Sequence, residues 1–545
     1  MFLERINIVG FRGLNHLSLT LDDNTLLIGE NAWGKSSLLD ALTLLLSPSQ
    51  PFYQFILNDF HRIQADNLNL ANNVRYSKIK VIFTFCEAYS GYSTADLYRS
   101  LSPVWIKEDD SLHRIHYAIE GHIKDDNTVV TTRSFLDSQQ QALATHDTDK
   151  LVAEIVRLHP VLRLSRGGFK TSEKNGDEFS EHMQQISKQI IESPFAIDET
   201  EIEQGLRVMR SLLENYFSNQ KVVAIREPEY RYNPGRLEWY ALESLSQIVS
   251  NPKNREIRTV LLGIFASMLQ SNGKSQLDAD SHPMLLIEEP ESRLHPIMLS
   301  VAWGLLSNLP LQKLTTTNSG DLLSLVPIER ICRLVREPSR IVAYRLGDNP
   351  LGAEDSRRIS FHIRFNRASS LFSRCWLLVE GETETWMLSE FANLCGHHFN
   401  SEGIKIIEFA QSGLKPLIKF ADRMGIEWHV LVDGDEAGKK YAATARSMMQ
   451  NVPEKNRLTV LPALDIEHFM YKSGFNEVYH RVAMLPLNVR ISARRVIQKA
   501  VHRSSKPDLA IEIADQARAR GMNSVPLLLS GMFNRIIRLA RKKSE

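Results

Sequence analysis

The stretch Gly29-Glu30-Asn31-Ala32-Trp33-Gly34-Lys35-Ser36 fits G-x-x-x-x-G-K-[ST] position by position, between the apolar "TLLI" and the helix-like "SSLLDALTLLL". No other feature restricts the fold as much, because strand, glycine-bounded loop and helix start in that order make a phosphate cradle. Gly29 and Gly34 let the backbone turn N–H groups inward, and the helix N-terminus adds partial positive charge. Lys35 is placed to reach the β- and γ-phosphates and Ser36 to hold Mg²⁺ through its hydroxyl; Asn31 and Ser37 join the expected nucleotide contacts. ATP is the expected ligand.

A phosphate loop alone does not make a hydrolase. In "PMLLIEEPESRLHP" a buried strand empties into paired acids. Glu288 is expected to coordinate Mg²⁺, directly or through water, and Glu289 to polarise the attacking water. The plain alternative is two surface glutamates at a strand end; the apolar run directly before them favours a site.

Two further strands end in carboxylates: "LLVEGETE" and "VLVDGDEAG", with "LDIEHF" later. Strand ends of a parallel sheet cluster at its carboxyl edge, where open α/β sheets bind ligands. Glu380, Asp433 and Asp435 can converge there although distant in sequence, with Glu384 and Glu467 as further ligands. Carboxylates without Cys or His beside them suit Mg²⁺ or Mn²⁺ rather than zinc. Lys415, in "QSGLKPLI", follows the strand between the acid motifs and is a candidate to neutralise a phosphate in transit, against the ordinary reading of a solvated lysine.

At 545 residues the chain exceeds a single core, since domains typically hold roughly 100–200 residues. The pattern gives an α/β chain: residues 1–140 with the phosphate loop, a helical insertion over 141–220 suited to dimerisation, and 221–365 with the second acidic motif. Residues 366–485 alternate strand and helix as a largely parallel sheet, and 486–545 form a basic helical segment. The formal charge of +1 does not advertise a nucleic-acid partner, yet that last segment carries Arg490, Arg494, Arg495, Lys499, Arg503, Lys506, Arg518, Arg520, Arg535, Arg538, Arg541, Lys542 and Lys543 against Asp508, Glu512, Asp515 and Glu545. It reads as a solvated face or a phosphate-contacting surface. Four scattered cysteines, no basic-then-apolar leader and no apolar run near the roughly 20 residues of a spanning helix lead us to expect a cytoplasmic protein without a membrane partner.

The N-terminal motifs resemble the ABC-type ATPases of the SMC and RecF group, in which two heads dimerise around ATP. The resemblance places Ser292 to Pro296 at the dimer contact and leaves Gln54 and Gln64 as alternatives for a metal-touching glutamine. Two departures stand out: Asn318, in "LTTTNSGD", occupies the usual histidine position, and no L-S-x-G-[EQ] signature is evident around Ser244 and Ser246. Asn318 can hydrogen-bond a γ-phosphate but cannot take up a proton as imidazole does, which implies slow hydrolysis. The later acids resemble the Toprim pattern of a glutamate in V-E-G and an aspartate pair D-x-D. Head plus Toprim resembles the overcoming-lysogenization-defect (OLD) nucleases over nearly the whole chain. That resemblance implies a homodimer or higher homo-oligomer that cuts DNA with two Mg²⁺ or Mn²⁺ ions, in phage defence or DNA repair. The alternative is an ATP-dependent DNA-binding or repair clamp whose Toprim domain is idle.

Overall fold

The computed structural model describes residues 1–47, 51–63, 74–145, 147–164, 281–292, 296–308, 311–347, 351–449, 452–487 and 490–541. They fall into two compact units, Met1–Val326 with Ser339–Ala343, and Pro327–Pro338 with Tyr344–Glu545.

In the first unit β1 (Phe2–Phe11) and β2 (Leu14–Thr20) form an antiparallel pair with Ile8 opposite Leu17, so that alternate apolar residues point to one face. β3 (Asn24–Ile28) is buried at every position and delivers the phosphate loop to α1 (Lys35–Leu45). The strands β4 (Lys78–Cys86), β5 (His113–Ile123) and β6 (Val129–Leu136) extend β1 as an antiparallel meander. On the other side α2 (Thr148–Leu158) leads into β7 (Val161–Leu164). β8 (Met284–Glu288), α3 (Pro296–Asn308), β9 (Gln312–Thr316) and α4 (Gly320–Leu325) follow. The order β7-β8-β9-β3 is parallel throughout. Parallel strands covered on both faces read as continuous apolar runs, which is what "MLLI" is.

Within the expected helical insertion over 141–220, Thr148–Leu158 is a helix, but Val161–Leu164 form a strand of this sheet, with Leu162 of β7 opposite Leu285 of β8. The helical spacing of "TDKLVAEIVRL" runs on by eye into "HPVLRL", but Pro160 cannot continue the helix and the chain emerges extended. The remainder of the expected insertion, Gln64, and Ser244 and Ser246 lie outside the described residues.

The second unit is built on β10 (Cys375–Val379), α5 (Glu382–Leu394), β11 (Ile404–Glu408), α6 (Leu414–Arg423), β12 (Glu427–Val432), α7 (Glu436–Met448), β13 (Leu458–Val460) and α8 (Ile466–Met470). Strand order is β11-β10-β12-β13, all parallel, with Leu377 between Ile406 and His429. The helices α9 (Asn476–Val482), α10 (Ala493–Arg503), α11 (Lys506–Arg520) and α12 (Leu527–Arg541) follow.

The expected basic segment over 486–545 is helical where described and packs into this unit: Val496, Ile513 and Phe533 share one core with Cys375, Leu377 and Phe391, and Phe533 meets Phe399 edge-on at 5.5 Å. The basic composition masked an apolar stripe at helical spacing. Residues 327–338 and 344–365, expected with the ATPase half, also belong to this unit. Arg333, only 1% exposed, donates to the carbonyls of Ser373, Met424 and Gly425, which satisfies its buried charge with fixed acceptors.

Candidate functional site

Each unit carries a group of polar side chains at strand ends. In the first, Gly34 has φ 88°, and a Cβ there would stand 2.3 Å from Leu14 Cδ2, so the loop needs glycine for conformation and for space. Lys35 is buried, and its ammonium donates to Gly29 O at 2.6 Å and Asn318 Oδ1 at 2.5 Å. Burial lowers its pKa to about 8, with Glu291 opposing the shift. Ser36 and Asn31 are exposed, and Ser37 Oγ accepts from Gly13 N at 3.2 Å.

Asn318 joins the two motifs. Its Nδ2 donates to Glu289 Oε1 at 2.8 Å and Asn31 Oδ1 at 3.2 Å, and its backbone N–H to Glu291 Oε1 at 2.7 Å. Glu289 has φ 45°, a left-handed conformation costly for a residue with a Cβ, and its N–H is fixed to Thr316 O at 2.9 Å. In this conformation the carboxylate meets Asn318. Glu288 accepts from Arg163 Nη2 at 2.9 Å, and Arg163 Nη1 reaches Asp40 at 2.6 Å. Sequence reasoning missed Arg163, whose signal was one arginine inside the apolar "VLRL". Gln54 is exposed and donates to Phe52 O at 3.4 Å, a long contact.

In the second unit Glu380 follows β10 and Asp433 follows β12, so neighbouring strands bring them to one edge. Gly434 permits the turn, because a Cβ there would stand 2.3 Å from Ala463 O. Asp435 caps α7 by accepting from Gly438 N at 2.7 Å, and Asp465 caps α8 by accepting from His468 N at 2.7 Å.

The acids sense one another. Burial first, then Glu384, Glu380, Asp465 and Glu467, push Asp433 up to about 8. Burial, then Glu467 and Glu380, push Glu384 up to about 7, although its own backbone N–H opposes this. Glu380 is raised by burial and by Asp435, and its buried Oε2 has no hydrogen-bond partner among the described residues. Lys506 Nζ lies 2.9 Å from Glu467 Oε1 and lowers the pKa of both Glu380 and Glu384. Sequence reasoning counted Lys506 only among the basic residues of the C-terminal segment. Lys415 is exposed at the start of α6, on the same edge of the sheet by topology. A buried carboxylate oxygen without a donor, among hard anionic ligands that repel one another, fits a divalent cation of the Mg²⁺ or Mn²⁺ type. Among the described residues no three His, Cys, Asp or Glu side chains already stand as a closed shell around one ion.

Residues 1–370 match the family described as "Protein of unknown function (DUF2813)", which is more than half of the chain. The chain belongs to that family. Residues 371–435 match the "Overcoming lysogenization defect protein-like, TOPRIM domain", a span that holds Glu380, Glu384, Asp433 and Asp435. The "Uncharacterized protein YbjD" of Escherichia coli (strain K12) is 53% identical over 557 residues, covering 100% of both chains. "Old nuclease" of Escherichia phage P2 is 28% identical over 190 residues, 33% of this chain and 32% of that protein. Among solved structures, the C-terminal region of the Burkholderia pseudomallei OLD protein aligns at 17% identity over 31% of this chain and 99% of that one, with a TM-score of 0.26. The SMC head domain from Thermotoga maritima aligns at 12% over 64% and 100%, with a TM-score of 0.29. Both scores are too low to bear on the fold. The OLD resemblance read from the sequence and the α/β fold both hold, the former through the matched Toprim domain. No helix among the described residues is long and apolar enough to cross a membrane.

Proposed function

We propose that the chain is an ATP-binding and ATP-hydrolysing DNA endonuclease of the OLD type that works as a homodimer or higher homo-oligomer. The observation that carries the reading is the acid edge of the Toprim domain, where half-buried Asp433 feels Glu384, Glu380, Asp465 and Glu467 and Glu380 Oε2 lacks a donor among the described residues. That arrangement is costly in a free protein and useful around a cation.

Glu380, Glu384, Asp433, Asp435 and Glu467 would hold Mg²⁺ or Mn²⁺; when bound, such ions acidify water and offset charge at phosphorus. Asp435 and Asp465 are held rigid by their caps, which fixes this edge. Lys506 offsets part of the mutual repulsion, and Lys415 stays available to a DNA phosphate. Other phosphates would meet Arg490, Arg494, Arg495 and Lys499, which are exposed. Arg518, Arg520 and Arg541, by contrast, are spent on Glu390, Glu477 and Glu402.

In the first unit Gly29, Asn31, Gly34, Lys35, Ser36 and Ser37 bind ATP, and Ser36 and Glu288 would hold its Mg²⁺. Glu289 takes a proton from the attacking water while Asn318 keeps its carboxylate oriented. A second reading, an ATP-dependent DNA-binding clamp with an idle Toprim domain, draws on the absence of a closed shell of three ligands among the described residues. Supercoiled plasmid incubated with the pure protein and Mg²⁺ or Mn²⁺, with and without ATP, separates the two. Nicked or linear product lost on Glu380→Ala supports the nuclease; plasmid bound but intact under every condition supports the clamp.

A further inference from the structure

Outside both sites, a cavity of about 310 Å³ opens at the amino edge of the Toprim sheet, and its walls include Glu427, Arg457, Arg535 and Arg538 with Pro453 and Leu539. Glu427 begins β12 and Asp433 follows its end, so the cavity and the acids lie at opposite ends of one strand, on the order of 20 Å apart. This is not the edge that would cut DNA.

The cations there are unequally spent. Arg457 pairs with Glu427, donates to Trp428 O at 2.8 Å and lies over the Trp428 ring at 4.8 Å. Arg535 gives one Nη to Thr459 Oγ1 at 3.2 Å, while its Nε is buried without a hydrogen-bond partner among the described residues. Among those residues exposed Arg538 uses Nε alone, on Asn534 O at 3.3 Å, so its forked end is open to a ligand. With Glu427 matched by Arg457, the guanidinium groups of Arg535 and Arg538 stand without a carboxylate partner among the described residues. A buried, unmet donor costs about 1–3 kcal/mol, which an acceptor in the cavity would recover.

We propose that this cavity binds the terminal phosphate of a phosphomonoester. Two forked guanidinium groups suit an oxyanion, and two uncompensated charges match a terminal phosphate, which carries about −1.5 to −2 at pH 7. A phosphodiester of the DNA backbone carries a single charge. The cavity volume sits at the low end of the range for small-molecule sites, roughly 300–1,000 Å³, and Pro453 and Leu539 give an apolar wall for the organic part. The donor of that phosphate is a free nucleotide or the 5′-phosphate end of a nucleic acid. The inference stands independently of the nuclease reading.

The test uses the full chain carrying Lys35→Ala, so that the phosphate loop contributes little. Inorganic phosphate should raise the thermal midpoint beyond chloride at equal ionic strength and broaden the phosphorus resonance, because a ligand that binds only the folded state stabilises it. Arg535→Ala with Arg538→Ala should remove both effects. Arg538→Gln alone, at an exposed position that folding tolerates, should weaken binding roughly tenfold. Arg541→Ala, on the same helix but paired with Glu402, should change neither effect. Adenosine monophosphate and a 5′-phosphorylated oligonucleotide then identify the source, each expected to bind in an Arg538-dependent way if it is the donor. Phosphate binding undiminished by Arg538→Gln, or 5′-hydroxyl and 5′-phosphate oligonucleotides binding equally through these arginines, overturns the proposal.

Discussion

The Asn318 side-chain amide donates to Glu289 Oε1 across 2.8 Å while its oxygen accepts from Lys35 Nζ at 2.5 Å. One amide thus bridges the cation expected at the γ-phosphate and the carboxylate expected at the attacking water. An amide suits this place because it presents an acceptor and a donor at once without titrating. If nucleotide draws Lys35 toward phosphate, Asn318 is expected to lose that partner and to keep Glu289 and Asn31.

Asn318→Ala is therefore expected to lower ATP turnover more than ATP affinity. A hydrogen bond to a charged group contributes about 1.5–3 kcal/mol, which corresponds to roughly a ten- to hundredfold loss in phosphate release. Nucleotide binding measured on the same preparation should fall severalfold at most. Equal losses in both would assign Asn318 to binding alone.

Lys35→Ala is expected to abolish phosphate release, since its charge is what offsets the γ-phosphate in the transition state. Glu289→Gln should keep nucleotide bound and stop turnover. Loss of nucleotide affinity in Glu289→Gln would show that the carboxylate holds the loop or a metal instead of polarising water.

Much of this was legible in the sequence because short motifs fix backbone chemistry. Gly34 and Lys35 declared the loop, and the apolar runs before Glu288, Glu380 and Asp433 declared buried parallel strands. What stayed hidden depends on side chains from distant elements. Nothing local in "SSKPDL" says that Lys506 will meet Glu467, and nothing in "VLRL" says that Arg163 will hold Glu288. The helices expected over 486–545 are present, and only their packing stayed hidden, because arginines dominate the composition while Val496, Ile513 and Phe533, which decide the packing, are fewer.

Gly434 offers a test of how tightly the acid turn is built. A Cβ there would stand 2.3 Å from Ala463 O and 2.6 Å from Leu461 O, both backbone atoms that cannot swing aside. Gly434→Ala should cost about 1–3 kcal/mol of stability and displace Asp433. Urea unfolding should show the loss, and a wild-type midpoint with full activity would mean that the turn relaxes freely.

His429 sets an acid limit on the second unit. The imidazole is fully buried between Asn456 O and Thr459 Oγ1, each at 2.9 Å, and burial lowers its pKa to about 4 from an ordinary 6.5. The unfolded chain takes up its proton first as pH falls. Stability is therefore complete above 6.5, declines below it and is fully lost beneath about 4, by up to about 3 kcal/mol. Thermal midpoints of wild type and His429→Gln should converge as pH drops through that window. A constant gap between them would remove His429 as the cause.

The acid pair of "VLVDGDEAG" carries the last expectation. If Asp433 and Asp435 hold catalytic metal, then Asp433→Ala, Asp435→Ala and Glu380→Ala should each remove plasmid cleavage and leave phosphate release unchanged, because the nucleotide residues come from the other unit. Mn²⁺ in place of Mg²⁺ should partly rescue the weakest variant, since it binds such ligands more tightly and tolerates poorer geometry. Stability supplies a readout free of activity. Burial and neighbouring carboxylates hold Asp433 protonated up to about 8, far above its ordinary 3.8. Its ionisation therefore favours the unfolded chain, and metal-free stability falls as pH rises through that range. Asp433→Asn, which imitates the neutral acid, should raise the metal-free thermal midpoint at pH 8 relative to wild type and abolish the gain that Mn²⁺ gives. A wild-type response to Mn²⁺ in Asp433→Asn, together with full cleavage free of contaminating nuclease, would return the pair to an ordinary helix-capping turn.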